Sequence, residues 1–219
     1  MRPPISRLKK AEIVWLANHY CKHRHSYLSH YQCYLDENPL GGNAGYFDIE
    51  TSNLNANFGM MFGYCILDDA GEIHESWITK KDMASDFDKR VVRDCINDLR
   101  KFDKVITFYG TKFDLPYVRT RAEYWGLDFP GYGEFVHEDV YYIIRHKFKL
   151  SSNRLESACR MILGETEKTH IDPDMWMKAL RCDKEAIDYI QHHCQGDVRD
   201  LKRLYDRVIK YRKRIDRSG

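Results

Sequence analysis

Between Ala44 and Thr79 short apolar runs are separated by polar turns, and from Asp86 onward apolar residues recur at helical spacing. Gly45 to Glu50 reads as a short aromatic strand, Met60 to Leu67 as a second, and Ile73 to Thr79 as a third across the turn Asp68 to Glu72. Asp86 to Phe102 reads as a helix, with Phe87, Val91, Cys95 or Ile96, and Leu99 on one face. Lys104 to Tyr109 is a buried strand running into the turn Gly110 to Phe113. Helical patterns follow over 114–125, 139–148, 153–163 and 173–180, and a long one runs from Lys184 to Arg214. Ahead of all this, Met1 to Pro4 reads as loose and Lys9 to His19 as a helix with Ile13, Leu16 and Ala17 on one side. The loop Pro39 to Asn43 is a natural boundary. The pattern predicts an α/β fold, a mixed sheet flanked by helices, over 41–219, with 1–40 as a separate N-terminal extension.

Composition narrows the class. At 219 residues with 43% hydrophobic and 13% aromatic side chains, the chain can bury a core, which excludes disordered and collagen-like proteins. No apolar run approaches the roughly 20 residues of a membrane span, and the first ten residues lack the apolar centre of a signal peptide. Seven widely spread cysteines are an odd number. They read as reduced thiols or metal ligands of an intracellular, cytoplasmic protein, not as a disulfide framework. The net charge of +2 hides an asymmetry: residues 1–34 carry +5 and residues 199–219 carry +6, which leaves −9 for residues 35–198. Basic ends around an acidic centre suit a protein that holds a polyanion over bound cations, although a solvated basic helix at each end would give the same totals.

The acidic centre contains three informative stretches. In Phe47-Asp48-Ile49-Glu50-Thr51, residues two apart on a strand point to the same side, so Asp48 and Glu50 project together. Both stay ionised on a buried strand only beside a cation, and hard carboxylate oxygens favour Mg²⁺ or Mn²⁺. The alternative is a strand end with two exposed acids. Asp114 falls where a buried strand turns into a helix, the position at which α/β folds keep their ligands; the alternative there is a simple N-cap ahead of Pro116. In His192-His193-Cys194-Gln195-Gly196-Asp197, four residues advance about 40° round a helix, so His193 shares a face with Asp197 while His192 lies about 140° away. Gly196 within a helix implies close backbone packing or a bend.

Asp-x-Glu on a strand, Phe-Asp at a strand-to-helix turn, and His-x-x-x-Asp on a final helix together resemble the DnaQ-like (DEDD) 3′–5′ exonucleases of the ribonuclease H-like superfamily. The resemblance spans residues 44–212. Asp48-Ile49-Glu50-Thr51, Tyr109-Gly110-Thr111-Lys112-Phe113-Asp114-Leu115-Pro116 and Gly196-Asp197-Val198 match its three motifs, and Asp139-Val140-Tyr141 and Asn153 to Ser157 resemble its linking helices. It implies a ribonuclease H-like mixed sheet and hydrolysis of phosphodiester bonds by two Mg²⁺ or Mn²⁺ ions. It implies that Asp48 bridges both ions, that Glu50 and Asp197 hold the ion carrying the attacking water, and that Asp114 supports the second. It places Thr51, Leu54, Tyr109 and Phe113 beside the substrate, with Tyr109 and Phe113 stacking terminal bases; core packing is the alternative for those two rings. The family carries either a Tyr four residues before the last Asp or a His five before it. Here both positions are His, His193 and His192, and either is a candidate general base. The implied substrates are 3′ ends of single-stranded DNA or RNA, with DNA favoured, and the implied partners are a polymerase or another replication or repair protein. A structure-specific endonuclease on the same fold and a non-catalytic nucleic-acid-binding or replisome module are the alternatives; the presence of all four acids argues against the second.

The resemblance does not reach the Cys/His/Tyr-rich run from His19 to Tyr34. Cys21, His23, His30 and Cys33 offer four ligands for a tetrahedral Zn²⁺, although Cys21-x-His23 is tighter than the usual pair spacing. The alternatives are a basic, aromatic nucleic-acid contact through Lys22, Arg24 and the tyrosines, or an arm packed on the main domain.

Overall fold

The computed structural model describes residues 10–37, 43–131, 134–167 and 172–211. Five strands form one mixed sheet: β1 (Ala44–Thr51), β2 (Met61–Asp68), β3 (Ile73–Trp77), β4 (Lys104–Thr107) and β5 (Val136–Asp139), in the order β3-β2-β1-β4-β5. The first three form an antiparallel meander, while β4 and β5 run parallel to β1. This is the mixed sheet flanked by helices that the patterning predicts, in the form that the resemblance implies. The loop at 39–43 lies almost wholly outside the described residues, as do Met1 to Pro4 and the last basic residues, 212–219.

The sheet separates two cores. Phe47, Ile49, Phe62 and Tyr64 face α4 (Lys89–Leu99) and α5 (Asp114–Trp125). Tyr46, Cys65 and Ile106 face α6 (Val140–Lys147), α7 (Leu155–Ile162) and the second half of α9 (Lys184–Val208). Period-2 alternation along β1 therefore sends its hydrophobes both ways, and the side that carries Tyr46 also carries Asp48 and Glu50. The long helix ends at Val208 and closes in a 3₁₀ turn, Ile209–Tyr211. Gly196 sits inside it because a Cβ there would lie 3.1 Å from the Glu167 carbonyl oxygen, so the bare backbone lets residues 165–167 pass close by.

Three local differences from the patterning have physical causes. Phe87 is not on the α4 face: it lies before the helix, 48% exposed, with φ of 47°. Asp88, which follows it, is drawn inward by Arg121 and Trp125, and α4 starts only at Lys89. β5 escaped the patterning because it has four residues and three of them, His137, Glu138 and Asp139, are polar; Thr107 Oγ1 lies 2.8 Å from His137 Nε2 across the pair. A one-turn helix, α3 (Lys80–Met83), also went unread, and it carries a full capping box between Thr79 and Asp82. The remaining helices are α1 (Lys10–Asn18) and α2 (Tyr31–Glu37) ahead of the sheet and α8 (Pro173–Ala179) before α9.

Asp82 ties α3 to α4. Arg90 donates to it through Nε at 2.9 Å and Nη2 at 2.8 Å, and the guanidinium holds its carboxyl down to about 2. A depressed folded-state value stabilises above the ordinary carboxylate value of 3.8 and is lost as pH falls through 2. With Arg90 one-third exposed, the pair is worth about 1–2 kcal/mol. Urea midpoints should therefore place Asp82→Asn below the wild type by that amount at neutral pH, with the gap closing between pH 4 and 2.

Candidate active site

The site assembles where β1, the start of α5 and the middle of α9 meet. Asp48 and Glu50 leave β1 on the α9 side, at the strand end where a register shift between Glu50 and Thr51 loosens the pairing with β2. Asp114 is the first residue of α5, and Phe113 occupies the capping position without a side-chain bond. Its Oδ1 accepts the N–H of Ile49 at 3.2 Å, so the third acid is fastened to the backbone between the first two. Asp114 is thus more than a simple N-cap: its carboxyl serves a strand amide as well as its own.

Electrostatics in this corner oppose a bare cluster of acids. Asp114 is 3% exposed, and burial pushes its carboxyl well above the ordinary carboxylate range; the neighbouring Asp48 carboxylate pushes it further. Two backbone amides, its own and that of Ile49, work the other way without offsetting this. Such a pair needs a shared proton or a cation to be stable.

Across from β1, α9 presents His193, Cys194 and Asp197. Cys194 donates its thiol to Asp48, 3.5 Å from Oδ2 and 3.6 Å from the carbonyl oxygen. Asp48, Glu50 and Cys194 each offer one donor atom within 4.8 Å of the others. Asp197 follows Cys194 by three residues, which keeps it on that face. His193 is 2% exposed, with Nε2 3.9 Å from Asp197 Oδ2 and its ring edge-on to Trp176. His192 is exposed on the outer side of the helix, and its Nδ1 lies 2.7 Å from the Asp188 carbonyl oxygen. The helix thus turns His193, not His192, toward the acids.

Side chains that sequence reasoning missed hold these elements in place. The Glu75 carboxylate, on β3, accepts Gln191 at 2.6 Å, Gln195 at 3.0 Å and the Trp77 indole at 3.0 Å, which fixes α9 against the sheet. Trp176 donates its indole N–H to the Thr51 carbonyl at 3.1 Å and so links α8 to the end of β1. Glu75 and Trp176 left no local signal, because the partners they reach on α9 and β1 lie 116 or more residues away in sequence. Cys194 did leave one, three positions from Asp197 on the same helical face.

Around the acids the candidate substrate residues divide. Leu54 is 79% exposed, and Phe58, which the patterning passed over, is 80% exposed in the same loop after β1. Tyr109 is also on the surface, which removes core packing as its role. Its backbone takes φ of 71°, and the Asp139 carboxylate holds that turn by accepting the Tyr109 and Thr111 amides at 2.7 and 3.0 Å. Phe113 is half-buried against the sheet core beside Tyr117, and Thr51 is buried with its hydroxyl on the Asn53 carbonyl.

Of the four expected zinc ligands, Cys21, His23 and Cys33 come together. His30 lies outside that group of three, its ring tilted against that of His25 with 3.9 Å between centroids.

Asp48 and Glu50 offer hard carboxylate oxygens close to one another, and burial beside Asp48 raises the Asp114 carboxyl; both features suit Mg²⁺ or Mn²⁺. All seven cysteines are described and none is in a disulfide. None of the described helices is long and apolar enough to cross a membrane.

Comparison with known proteins agrees with this architecture. A family model described as the RNase_H superfamily matches residues 45–209. A DNA polymerase of Methanocaldococcus jannaschii is 29% identical over 57% of this chain, which spans 8% of that protein. The family B DNA polymerase of Pyrobaculum calidifontis superposes over 77% of this chain and 25% of its own with a TM-score of 0.64, at 16% identity, a likeness of fold. The five-stranded sheet, its acid-bearing first strand and the match over most of its length make this chain a member of the RNase H superfamily.

Proposed function

We propose that the chain is a metal-dependent 3′–5′ exonuclease of the DnaQ-like type, acting on single-stranded nucleic acid and on DNA in preference to RNA. The observation that carries this reading is that β1 holds Asp48 and Glu50 together, α5 brings Asp114 onto the amide between them, and α9 meets Asp48 through Cys194, one turn before Asp197. A structural role would not require so many buried acids beside each other.

Asp48, Glu50, Asp114 and Asp197 are the residues that hold two Mg²⁺ or Mn²⁺ ions. Those ions supply an activated water and offset charge at the phosphorus. His193 Nε2, beside Asp197, orients the attacking water and takes its proton. Leu54, Phe58 and Tyr109 offer exposed apolar faces on which terminal bases stack. The similarity to two DNA polymerases supports DNA as substrate and a polymerase, or another replication or repair protein, as partner.

Linear and circular single-stranded oligomers of the same sequence, as DNA and as RNA, test the reading. The linear strand should shorten and the circle should survive, with DNA consumed faster. Cleavage of the circle at a matching rate would instead assign an endonuclease.

A further inference from the structure

The N-terminal extension holds a cluster that the nuclease chemistry does not use. Cys21 and Cys33 are buried, at 4% and 6% exposure, although the segment around them is short and its own hydrophobic cluster is small: Leu16, Tyr31 and Leu35, with Val136 of β5 against it. Between the two thiols lies one ring nitrogen. His23 Nδ1 is 3.5 Å from Cys33 Sγ and 3.9 Å from Cys21 Sγ, and all three donor atoms lie within 4.8 Å of one another.

Those separations fit a metal. Zn–S bonds of about 2.3 Å and Zn–N bonds of about 2.0 Å at tetrahedral angles place a sulfur and a nitrogen about 3.6 Å apart. The local backbone is built for it. The Cys21 N–H bonds the His25 carbonyl at 2.9 Å, the Arg24 N–H bonds the Cys21 carbonyl at 2.8 Å, and Arg24 takes φ of 64°. This tight turn aims Cys21 and His23 the same way despite their close spacing, while α2 brings Cys33 from the other side. His23 Nε2 is buried with no hydrogen-bond partner, so no hydrogen bond at that nitrogen accounts for the ring's position.

We propose that Cys21, His23 and Cys33 bind a structural Zn²⁺, with His30 completing the tetrahedron. His30 lines the same cavity as His23 and Cys33, between the extension and α6, and would reach the site by turning away from the His25 ring. Two thiolates with imidazole select zinc over the hard cations of the carboxylate site. The ion locks the turn to α2 and thereby the extension to the β5 edge of the sheet. The site is independent of the nuclease reading.

The test is metal analysis of the full chain purified under reducing conditions, with a Co²⁺-substituted sample for spectroscopy. About one zinc per chain should survive dialysis, and the cobalt form should show the near-ultraviolet thiolate charge-transfer band and the strong visible bands of a tetrahedral site. Asp48→Asn should retain both. Cys33→Ser should lower zinc affinity at least about tenfold in chelator competition, and His30→Ala should weaken it while keeping the thiolate band. No zinc together with no thiolate band in the wild type overturns the proposal whatever the variants do. So does a Cys21–Cys33 disulfide in the zinc-free isolated chain, or zinc that is lost in Asp48→Asn and kept in Cys33→Ser. His30→Ala with unchanged affinity overturns the fourth ligand.

Discussion

Asp48→Asn and Asp114→Asn should each reduce the rate of phosphodiester hydrolysis by about 10³-fold or more while leaving the fold intact. Asp48 sits at the crossing of all three elements: its strand neighbour Ile49 is tied to Asp114, and its carboxylate receives the Cys194 thiol from α9. Replacing it with the isosteric amide keeps the shape and removes a charge on which the proposed cations would depend. Asp114→Asn keeps an acceptor for the Ile49 amide, so loss of rate there reports charge, not a broken strand contact. Because an ionised Asp114 is disfavoured by burial and by Asp48, either amide should leave thermal stability without Mg²⁺ unchanged or raised. The histidines divide sharply. His193→Gln removes the ring beside Asp197 and should cost about 10²–10⁴-fold, whereas His192→Gln alters an exposed ring and should change the rate only a few-fold. Steady-state rates on a labelled oligomer, with circular dichroism of each variant, check the whole series.

Asp88→Ala should destabilise the protein by about 3–5 kcal/mol, the largest loss expected from any single substitution away from the acids. The Asp88 carboxylate is fully buried and accepts four hydrogen bonds. Arg121 grips it bidentately through Nε at 2.8 Å and Nη2 at 2.6 Å, Trp125 donates at 2.8 Å, and the Met61 amide donates at 2.8 Å. One side chain thus fastens the entry of α4 to α5 and to the first residue of β2. Truncation leaves Arg121 as a buried charge with only the Ala56 carbonyl, at 3.2 Å, as a protein acceptor from that set, and strands a buried amide. Denaturant titration gives the number directly. A loss under 1 kcal/mol would mean that water enters and solvates Arg121.

The contrast between these two residues shows what was readable in advance. Asp48, Glu50, Asp114 and Asp197 lie in short motifs whose spacing encodes geometry: two-residue periodicity on a strand, a strand-to-helix turn, and four-residue periodicity on a helix. Helical arithmetic alone favoured His193 over His192, and the structure turns His193 inward. Asp88 had no such context. It reads as an ordinary acid at a helix start, and its partner Arg121 lies 33 residues away. Glu75 and Trp176 were silent for the same reason, since long-range pairing leaves no local period. β5 was missed because a parallel edge strand of four residues, three of them polar, needs neither alternation nor a tight turn. In the extension, sequence spacing brought out Cys21, His23, His30 and Cys33 together; Cys21, His23 and Cys33 converge, while His30 lies against the His25 ring, a contact that spacing does not encode.

The most direct test of the central claim is a time course on a 5′-labelled single-stranded DNA oligomer with Mg²⁺, with Mn²⁺ and with EDTA. The expected result is a ladder of products shortening one nucleotide at a time from the 3′ end in either metal, and an intact strand in EDTA. Undiminished cleavage in EDTA, discrete internal products, or an intact strand under every metal would contradict it.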